Sequence, residues 1–221
     1  VVVDLAKNIF SEEVSLSEFD LVENFKDKIE SVSSADIERV LNLILNSSRP
    51  VVVAGGGVIH SKAEDNLYNF VKSLSLPIVD TMMGLGAYPQ DDENYFGMIG
   101  IFGDKAANHL IKESDLIVSI GARFNDRITC MFKDVNLSEK FLQIDINKDE
   151  ISRVINAVDS VCADANLVLA KLNVTICQDS LESEIFKNWL FEAQGFRKLN
   201  TERKKSTNLL HSFEVIRKIQ E

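Results

Sequence analysis

The sequence predicts an α/β protein built on an open, doubly wound parallel sheet of about six strands. Two observations support this prediction. Short runs rich in valine and isoleucine recur along the chain, and a continuous apolar run is typical of a strand buried on both faces. Amphipathic helical patterns alternate with these runs, and strand–helix alternation is typical of a parallel sheet with helices on both sides.

The predicted strands are the apolar runs themselves. They are short and separated by segments long enough for a crossover helix, as parallel pairing requires. The runs are Val1–Leu5, Val51–Ala54, Pro77–Asp80, Leu116–Ile120, Phe141–Ile146 and Ser160–Ala163.

Helical periodicity fills several of the intervals between the runs. Ser34 can cap a helix whose apolar residues recur three and four positions apart. The same spacing appears in Ala63–Leu76, and shorter helices are predicted over Asp104–Ser114 and Ala165–Leu172. The two clearest apolar faces consist of Ile37, Val40, Leu41 and Ile44, and of Leu67, Phe70, Val71 and Leu74.

Composition divides the chain into three parts. Residues 31–175 carry the α/β pattern, and the acidic, polar stretch that follows the first apolar run within residues 1–30 is predicted to be a linker. Residues 176–221 are predicted to be a second linker, anchored by Trp189 and Phe191, that leads into a helix at Leu209–Ile219. Because the chain opens on valine instead of methionine, we expect it to be part of a longer protein.

Composition also excludes several functional classes. The 221 residues carry a net charge of −10, which disfavours nucleic acid and anionic membranes as partners. No apolar run approaches the ~20 residues of a membrane span. Three scattered cysteines suggest neither a disulfide framework nor a zinc site, so we expect a cytoplasmic protein. His60, His109 and His211 lack partners for a catalytic triad, and no metal site is predicted.

Glycine-rich turns follow several predicted strands. All three prolines and nine of the ten glycines lie between residues 50 and 121. In a doubly wound sheet, ligands bind at the carboxyl ends of the strands. At these ends, Val51–Gly57 provides glycines whose backbone a ligand can approach closely, and Thr81–Ala87 provides a threonine hydroxyl and methionines. Gly97–Gly103 precedes a helix that could hold a phosphate, although Asp104 would cap this helix and oppose an anion. Turns and core methionines without any ligand are the alternative.

Charged side chains follow two further strands. Arg123 and Arg127 come directly after Leu116–Ile120, and guanidinium groups suit diphosphates and carboxylates. A surface ion pair with Asp126 is the alternative, but the position at a strand end favours ligand contact. Asp145 ends another strand, where an acid commonly binds a ribose or ribityl hydroxyl. Asp164 could do the same or simply cap a helix.

Taken together, these stretches resemble the central domain of acetolactate synthase (acetohydroxyacid synthase) large subunits, which are thiamine-diphosphate enzymes. Gly121–Arg127, with the sequence GARFNDR, is the most specific element. Val1–Lys7 and His211–Ile219 resemble the adjoining ends of the family's first and third domains. The resemblance therefore implies that residues 1–30 are the end of a preceding domain and a linker, and that residues 176–221 are a linker and the first helix of a following domain. The matching stretches are Arg49–Gly57, Thr81–Gly86, Gly97–Asn108, Gly121–Thr129, Ile144–Ile146 and Asp164.

The resemblance implies a Rossmann-like domain that binds FAD, which takes no net redox part in the main reaction. The parent enzyme would join decarboxylated pyruvate to a second pyruvate or to 2-oxobutyrate, on the way to valine, leucine and isoleucine. Thiamine diphosphate and Mg²⁺ would be held by other domains of a homodimer or homotetramer, and a regulatory small subunit is a further candidate partner. Asp126 and Arg127 would border the substrate channel. The implied flavin contacts are Gly55, Gly56, Thr81, Met82, Phe102, Gly121, Arg123, Asn125, Arg127, Asp145, Ile146 and Asp164.

The chain departs from the family's usual pattern at several positions. Ile101 and Phe102 stand where the family usually has Met-His, a histidine that contacts the flavin. Asn125 replaces a usual aspartate, and Cys130 and Ala163 replace usual glycines. The family's catalytic glutamate and its thiamine-diphosphate and magnesium motif lie in domains that these residues do not match. We therefore expect no catalytic residue here and no carboligase activity from this polypeptide alone.

Two other interpretations remain open at this stage. The chain could be the central domain of a related thiamine enzyme of the oxalyl-CoA decarboxylase or glyoxylate carboligase type, which binds ADP or FAD. It could also be a non-catalytic α/β spacer whose ligand site has decayed, as the residues at positions 102 and 125 suggest.

Overall fold

A computed structural model describes Asp4 and residues 6–11, 31–179, 185–200, 215–216 and 218–219. Most of the first apolar run, most of the acidic linker and most of the predicted helix at Leu209–Ile219 lie outside the described residues. The proposed domain boundaries therefore stay predictions, although one helix continues without a break through residue 175. Among the described residues, no helix is both long enough and apolar enough to span a membrane.

Six parallel strands form one sheet, which confirms the predicted fold class. The strand order is β3-β2-β1-β4-β5-β6, so the chain first builds one half of the sheet outward and then crosses over to build the other half. Every residue of β1, β2, β4 and β5 is buried, as their continuous apolar runs predicted. The strands are β1 (Pro50–Ala54), β2 (Ile78–Asp80), β3 (Tyr95–Met98), β4 (Leu116–Ile120), β5 (Phe141–Asp145) and β6 (Asp159–Cys162).

The edge strand β3 was not predicted. Its sequence, YFGM, overlaps the segment that the glycine spacing had assigned to a turn. Gly97 has a φ of +101°, and the pairing register with β2 shifts here, so the strand is locally irregular. Arg197 protects this edge by donating to the carbonyl oxygens of Glu93 (2.7 Å) and Tyr95 (2.9 Å).

Helices cover both faces of the sheet, largely where the periodicity predicted them. The residue that caps the first helix is Ser33, one position before the predicted Ser34. The Ser33 hydroxyl accepts from the Asp36 amide at 3.0 Å, and the Asp36 carboxylate accepts from the Ser33 amide, which completes a capping box. Both predicted apolar faces are buried. The helices are α1 (Ser34–Leu45), α2 (Gly56–His60), α3 (Glu64–Leu74), α4 (Lys105–Glu113), α5 (Asp126–Thr129), α6 (Ala165–Gln178) and α7 (Lys187–Gln194).

The segment that contains α7 packs against the beginning of the sheet. The Trp189 indole donates to the carbonyl oxygen of Pro50 at 2.9 Å, and the Arg49 guanidinium lies 5.2 Å from the centre of its ring. The prediction that Phe191 also anchors this segment is wrong, because its side chain is 78% exposed. Phe186 is the second buried aromatic residue instead.

The carboxyl end of α4 is capped by a lysine from elsewhere in the chain. The Lys140 ammonium group, just before β5, donates to the carbonyl oxygens of Ile111 (2.9 Å), Lys112 (3.1 Å) and Ser114. An ammonium group at this position donates to carbonyl groups that lack partners within the helix, and its positive charge interacts favourably with the negative end of the helix dipole. This contact fixes α4 relative to β5.

We predict that Lys140→Met lowers the free energy of unfolding by about 2 kcal/mol, because three carbonyl groups lose a charged donor. Urea denaturation would measure the change. Lys133→Met is the matched control, since Lys133 is exposed. Equal stability of the two variants would contradict the capping role.

Candidate functional site

A cavity of about 730 Å³ opens at the carboxyl edge of the sheet. Residues that follow each of the six strands contribute to its walls, as expected for a ligand site in a doubly wound fold. Its volume falls within the range of small-molecule and cofactor sites. Eleven of the twelve predicted flavin contacts line it, and only Gly55 does not; the eleven are Gly56, Thr81, Met82, Phe102, Gly121, Arg123, Asn125, Arg127, Asp145, Ile146 and Asp164.

These residues lie at the cavity wall, and the role of each one as a flavin contact stays a prediction. The wall consists of a glycine floor, an apolar rim, a pair of arginines and an acidic end.

The glycine floor forms where the turns after β1 and β4 meet. The Gly57 amide donates to the Gly121 carbonyl at 3.0 Å, and the Gly55 amide donates to the Ile120 carbonyl at 2.9 Å. A Cβ atom on Gly55 would overlap the Gly121 carbonyl, so this glycine serves the close approach of the two chains. Gly121 itself has a φ of +55°, which favours glycine.

The apolar rim comes from the turns after β2 and β3. Met82 and Met83 lie largely exposed beside the cavity, while Thr81 is buried and its amide donates to the Ala54 carbonyl at 3.0 Å. Phe102, in the turn after β3, is 76% exposed. An apolar rim of this kind can contact the faces of a flat ring.

The turn that carries Phe102 is held from both ends. The Asn108 side chain exchanges two hydrogen bonds of 2.9 Å with the backbone of Gly100, and the Ile101 amide donates to the Arg127 carbonyl at 2.9 Å. The prediction that the Asp104 carboxylate caps α4 is wrong. This carboxylate turns back to accept from the Met98 amide at 3.2 Å, and the side chain of Asn200 accepts from the Ala106 amide of α4.

The two arginines lie on one side of the cavity, and their side chains are free of the expected partner. Within the described part of the chain, Asp126 forms no ion pair with either arginine; its carboxylate accepts from the Arg127 amide at 3.0 Å. Arg123 instead lies 3.7 Å from the Glu150 carboxylate. Asp126 does not line the cavity, and its place in a substrate channel stays a prediction.

The acidic end of the cavity follows β5 and β6. Asp145 is nearly buried and accepts from the Asn147 amide at 2.8 Å. Burial raises the pKa of its carboxyl group, while the nearby Arg123 charge lowers that pKa. Asp164 caps α6 through one oxygen, which accepts from the amides of Asn166 (2.9 Å) and Leu167 (3.2 Å). The capping alternative for Asp164 is thus confirmed, although the residue also lines the cavity.

A family model described as the central domain of thiamine pyrophosphate enzymes matches residues 37–172.

The chain belongs to this family.

Among its curated relatives are probable acetolactate synthase large subunits from two archaea. The chain is 35% identical over 169 residues to the one from Methanococcus aeolicus, a match that covers 73% of the chain and 28% of the relative. It is 32% identical over 203 residues to the one from Methanocaldococcus jannaschii, covering 90% of the chain and 34% of the relative. The chloroplastic acetolactate synthase of Arabidopsis thaliana is 38% identical over 137 residues, which cover 62% and 20%. The chain therefore spans about a third or less of these relatives.

Several cavity residues of this family member were not singled out from the sequence. His60 had no recognisable partner, yet it lines the cavity from the end of α2. Asn147 was missed because it lies two residues beyond a predicted strand end, inside an unremarkable polar turn. Its position at the same edge as the arginines was the available signal. The further lining residues are Gly57, Ser61, Met83, Met98, Ile99, Gly100, Ile101, Ile128, Ile144, Ala163 and Ala165.

We predict that Gly55→Ala lowers the free energy of unfolding by about 2 kcal/mol or more, because the new methyl group would overlap the Gly121 backbone. Urea denaturation of both proteins measures the loss. Gly195→Ala is the control, since a Cβ there meets no atom within 4 Å. A stable Gly55→Ala protein would show that the two turns can separate at little cost.

Proposed function

We propose that the cavity binds FAD and that the chain acts as the cofactor-binding central domain of an acetolactate synthase. The observation that carries the proposal is that Arg123 and Arg127 line the same cavity as the glycine floor, where the backbone carries no side chains. Guanidinium groups bind a diphosphate through paired hydrogen bonds, and glycines allow that diphosphate to approach the chain closely.

The remaining walls suit the two ends of such a ligand. Asp164 uses one carboxylate oxygen for its helix cap, which leaves the other for a hydroxyl group. Asp145 offers a second acceptor on the same side. The rim of Met82, Met83 and Phe102 provides apolar contact for the isoalloxazine ring. Phe102 can stack on a ring but has no donor, so any polar contact made by a histidine at this position is lost.

The parent protein is proposed to condense two pyruvates, or pyruvate and 2-oxobutyrate, with loss of CO₂ in branched-chain amino-acid biosynthesis. The curated names of the relatives support this proposal. Thiamine diphosphate and Mg²⁺ would supply the carbanion chemistry from flanking domains. We further propose a cytoplasmic homodimer or homotetramer that can carry a regulatory small subunit.

Asn125 and Phe102 give weight to a second candidate within the same family. A thiamine enzyme of the oxalyl-CoA decarboxylase or glyoxylate carboligase type would use this cavity for ADP or FAD. The acidic end and the arginines together suit an adenosine diphosphate as well, so ligand choice depends on the apolar rim. A spacer domain without a ligand is the third outcome that a binding experiment distinguishes.

We predict that the protein quenches FAD fluorescence on titration and that Arg127→Ala weakens binding about 10-fold to 100-fold, the loss expected for a charge-assisted contact. Lys133→Ala removes the same charge from an exposed site outside the cavity and should leave the affinity unchanged. Binding of ADP without FAD would favour the second candidate. Failure to bind either would contradict the ligand site.

We also predict that the 221-residue polypeptide forms no acetolactate from pyruvate, thiamine diphosphate and Mg²⁺, because none of its matched stretches supplies the family's catalytic glutamate or metal motif. A colorimetric acetoin assay would measure the product, with a full-length relative as the positive control. Turnover above the background without protein would refute the prediction.

A further inference from the structure

An acidic cluster with one fully buried member adjoins two of the turns that line the cavity. It consists of Asp80 at the end of β2, Tyr95 on β3 and Asp104 just before α4. Asp80 is only 1% exposed, and one of its carboxylate oxygens accepts from the Tyr95 hydroxyl at 2.9 Å. Its other oxygen, Oδ1, is buried without a hydrogen-bond partner. A buried, half-satisfied carboxyl group is costly and calls for a physical explanation.

Asp104 reaches the same place because β3 contains a glycine. Its carboxylate occupies the space that a side chain on Gly97 would fill, and it accepts from the Met98 amide at 3.2 Å. Met98 is the residue that pairs with Asp80 across the sheet. The Asp104 carboxylate, from a different element, is thereby close enough for its charge to raise the pKa of the Asp80 carboxyl group.

No cation balances this pair in the described part of the chain. Its ion pairs include neither Asp80 nor Asp104, and β1 contributes the apolar Ala54 beside Asp80. Tyr95 and Asp104 are the titratable groups that face Asp80. Burial raises the pKa of Asp80 to about 6, the Asp104 charge acts in the same direction, and the Tyr95 hydrogen bond opposes them. The cluster therefore retains a proton well above the pH at which an exposed aspartate loses it.

The backbone around Asp80 joins two walls of the cavity. The Asp80 carbonyl accepts from the Ile99 amide at 2.9 Å, at the beginning of the turn that carries Phe102. The next residue, Thr81, opens the turn that carries the methionines. The Asp104 amide donates to the Met98 carbonyl at 2.7 Å, so the far end of the Phe102 turn returns to the same cluster.

We propose that Asp80 is a positioning residue for the cavity, which holds the turns at 81–84 and 99–103 together while its carboxyl group is protonated. The inference rests on the proposed flavin site. Loss of the proton places two negative charges in a poorly solvated space between the turns, and their repulsion separates the turns and weakens ligand binding. Ligand affinity would thus depend on pH through a residue that does not line the cavity.

The first arm of the test is a titration of the full chain with FAD between pH 5 and pH 7.5. We expect the affinity to fall about threefold to tenfold as the pH rises through about 6. Asp80→Asn keeps the shape and the Tyr95 bond but cannot ionise, so its affinity should vary less with pH. Titration of FAD itself or of other residues affects both proteins equally, which makes the variant a matched control.

Two further variants give opposite shifts that a merely structural role would not produce. Asp104→Asn removes the neighbouring charge and should lower the midpoint pH of the transition. Tyr95→Phe removes the hydrogen bond that stabilises the ionised form and should raise that midpoint. Equal midpoints in wild type and both variants would overturn the proposal, as would an affinity of the wild type that does not change with pH.

The second arm does not depend on the ligand. Because the folded-state pKa lies above the unfolded value, the contribution of Asp80 to stability is complete below about pH 4 and is lost as the pH rises through about 6. NMR spectra of the ligand-free protein should show backbone amides of both turns titrating with this midpoint in wild type and not in Asp80→Asn. If FAD does not bind at any pH but the amides titrate, the proposed function fails and the positioning role of Asp80 stands. Amides that do not titrate overturn the role of Asp80 whether or not FAD binds.

Discussion

The direct backbone contact between the turns after β1 and β4 is the constraint on which the site depends. Two amide–carbonyl hydrogen bonds, from Gly55 and Gly57, join these turns without any intervening side chain. The contact closes the crevice at the switch point of the sheet, where the strand order reverses. The contact also fixes Gly121, from which the segment with Arg123 and Arg127 continues. The positions of both arginines therefore depend on the close approach that the glycines allow.

The polarity of the cavity follows from which strand end supplies each wall. The half of the sheet formed by β2 and β3 contributes the methionines and Phe102, whereas β5 and β6 contribute carboxylates. Arg123 lies between these halves and is held near Glu150, whose own position is fixed by the buried Gln143. A ligand with a flat apolar end, a central diphosphate and a hydroxylated end matches this order. The overall charge of −10 therefore says little about the local potential at the site.

In the proposed role of the acidic cluster, the sheet next to the cavity influences the turns that line it. Asp80 occupies a position in β2 where the neighbouring strand β1 presents only Ala54. Burial of its ionised form costs stability at neutral pH, and we propose that this cost is coupled to two turns that both contribute to the cavity wall. The edge position of β3 makes this possible, because an edge strand can shift more easily than a central one. Arg197 limits that freedom by binding the β3 backbone from outside.

Local sequence patterns were sufficient to predict the fold class, most of the strands and the edge of the sheet at which the cavity lies. Continuous valine and isoleucine runs are a local signal of double-sided burial, and the residues after each run are placed at one edge by parallel pairing alone. The contacts that these residues make could be read only from the folded protein. Tyr95–Met98 forms a strand because it pairs with the edge of β2, although it contains a glycine, which is unfavourable in strands. The Asp104 side chain occupies the space beside Gly97 instead of capping α4, and Arg123 lies near Glu150 instead of pairing with Asp126. These contacts depend on how the strands and turns are placed in three dimensions, which the local hydrophobic pattern does not encode.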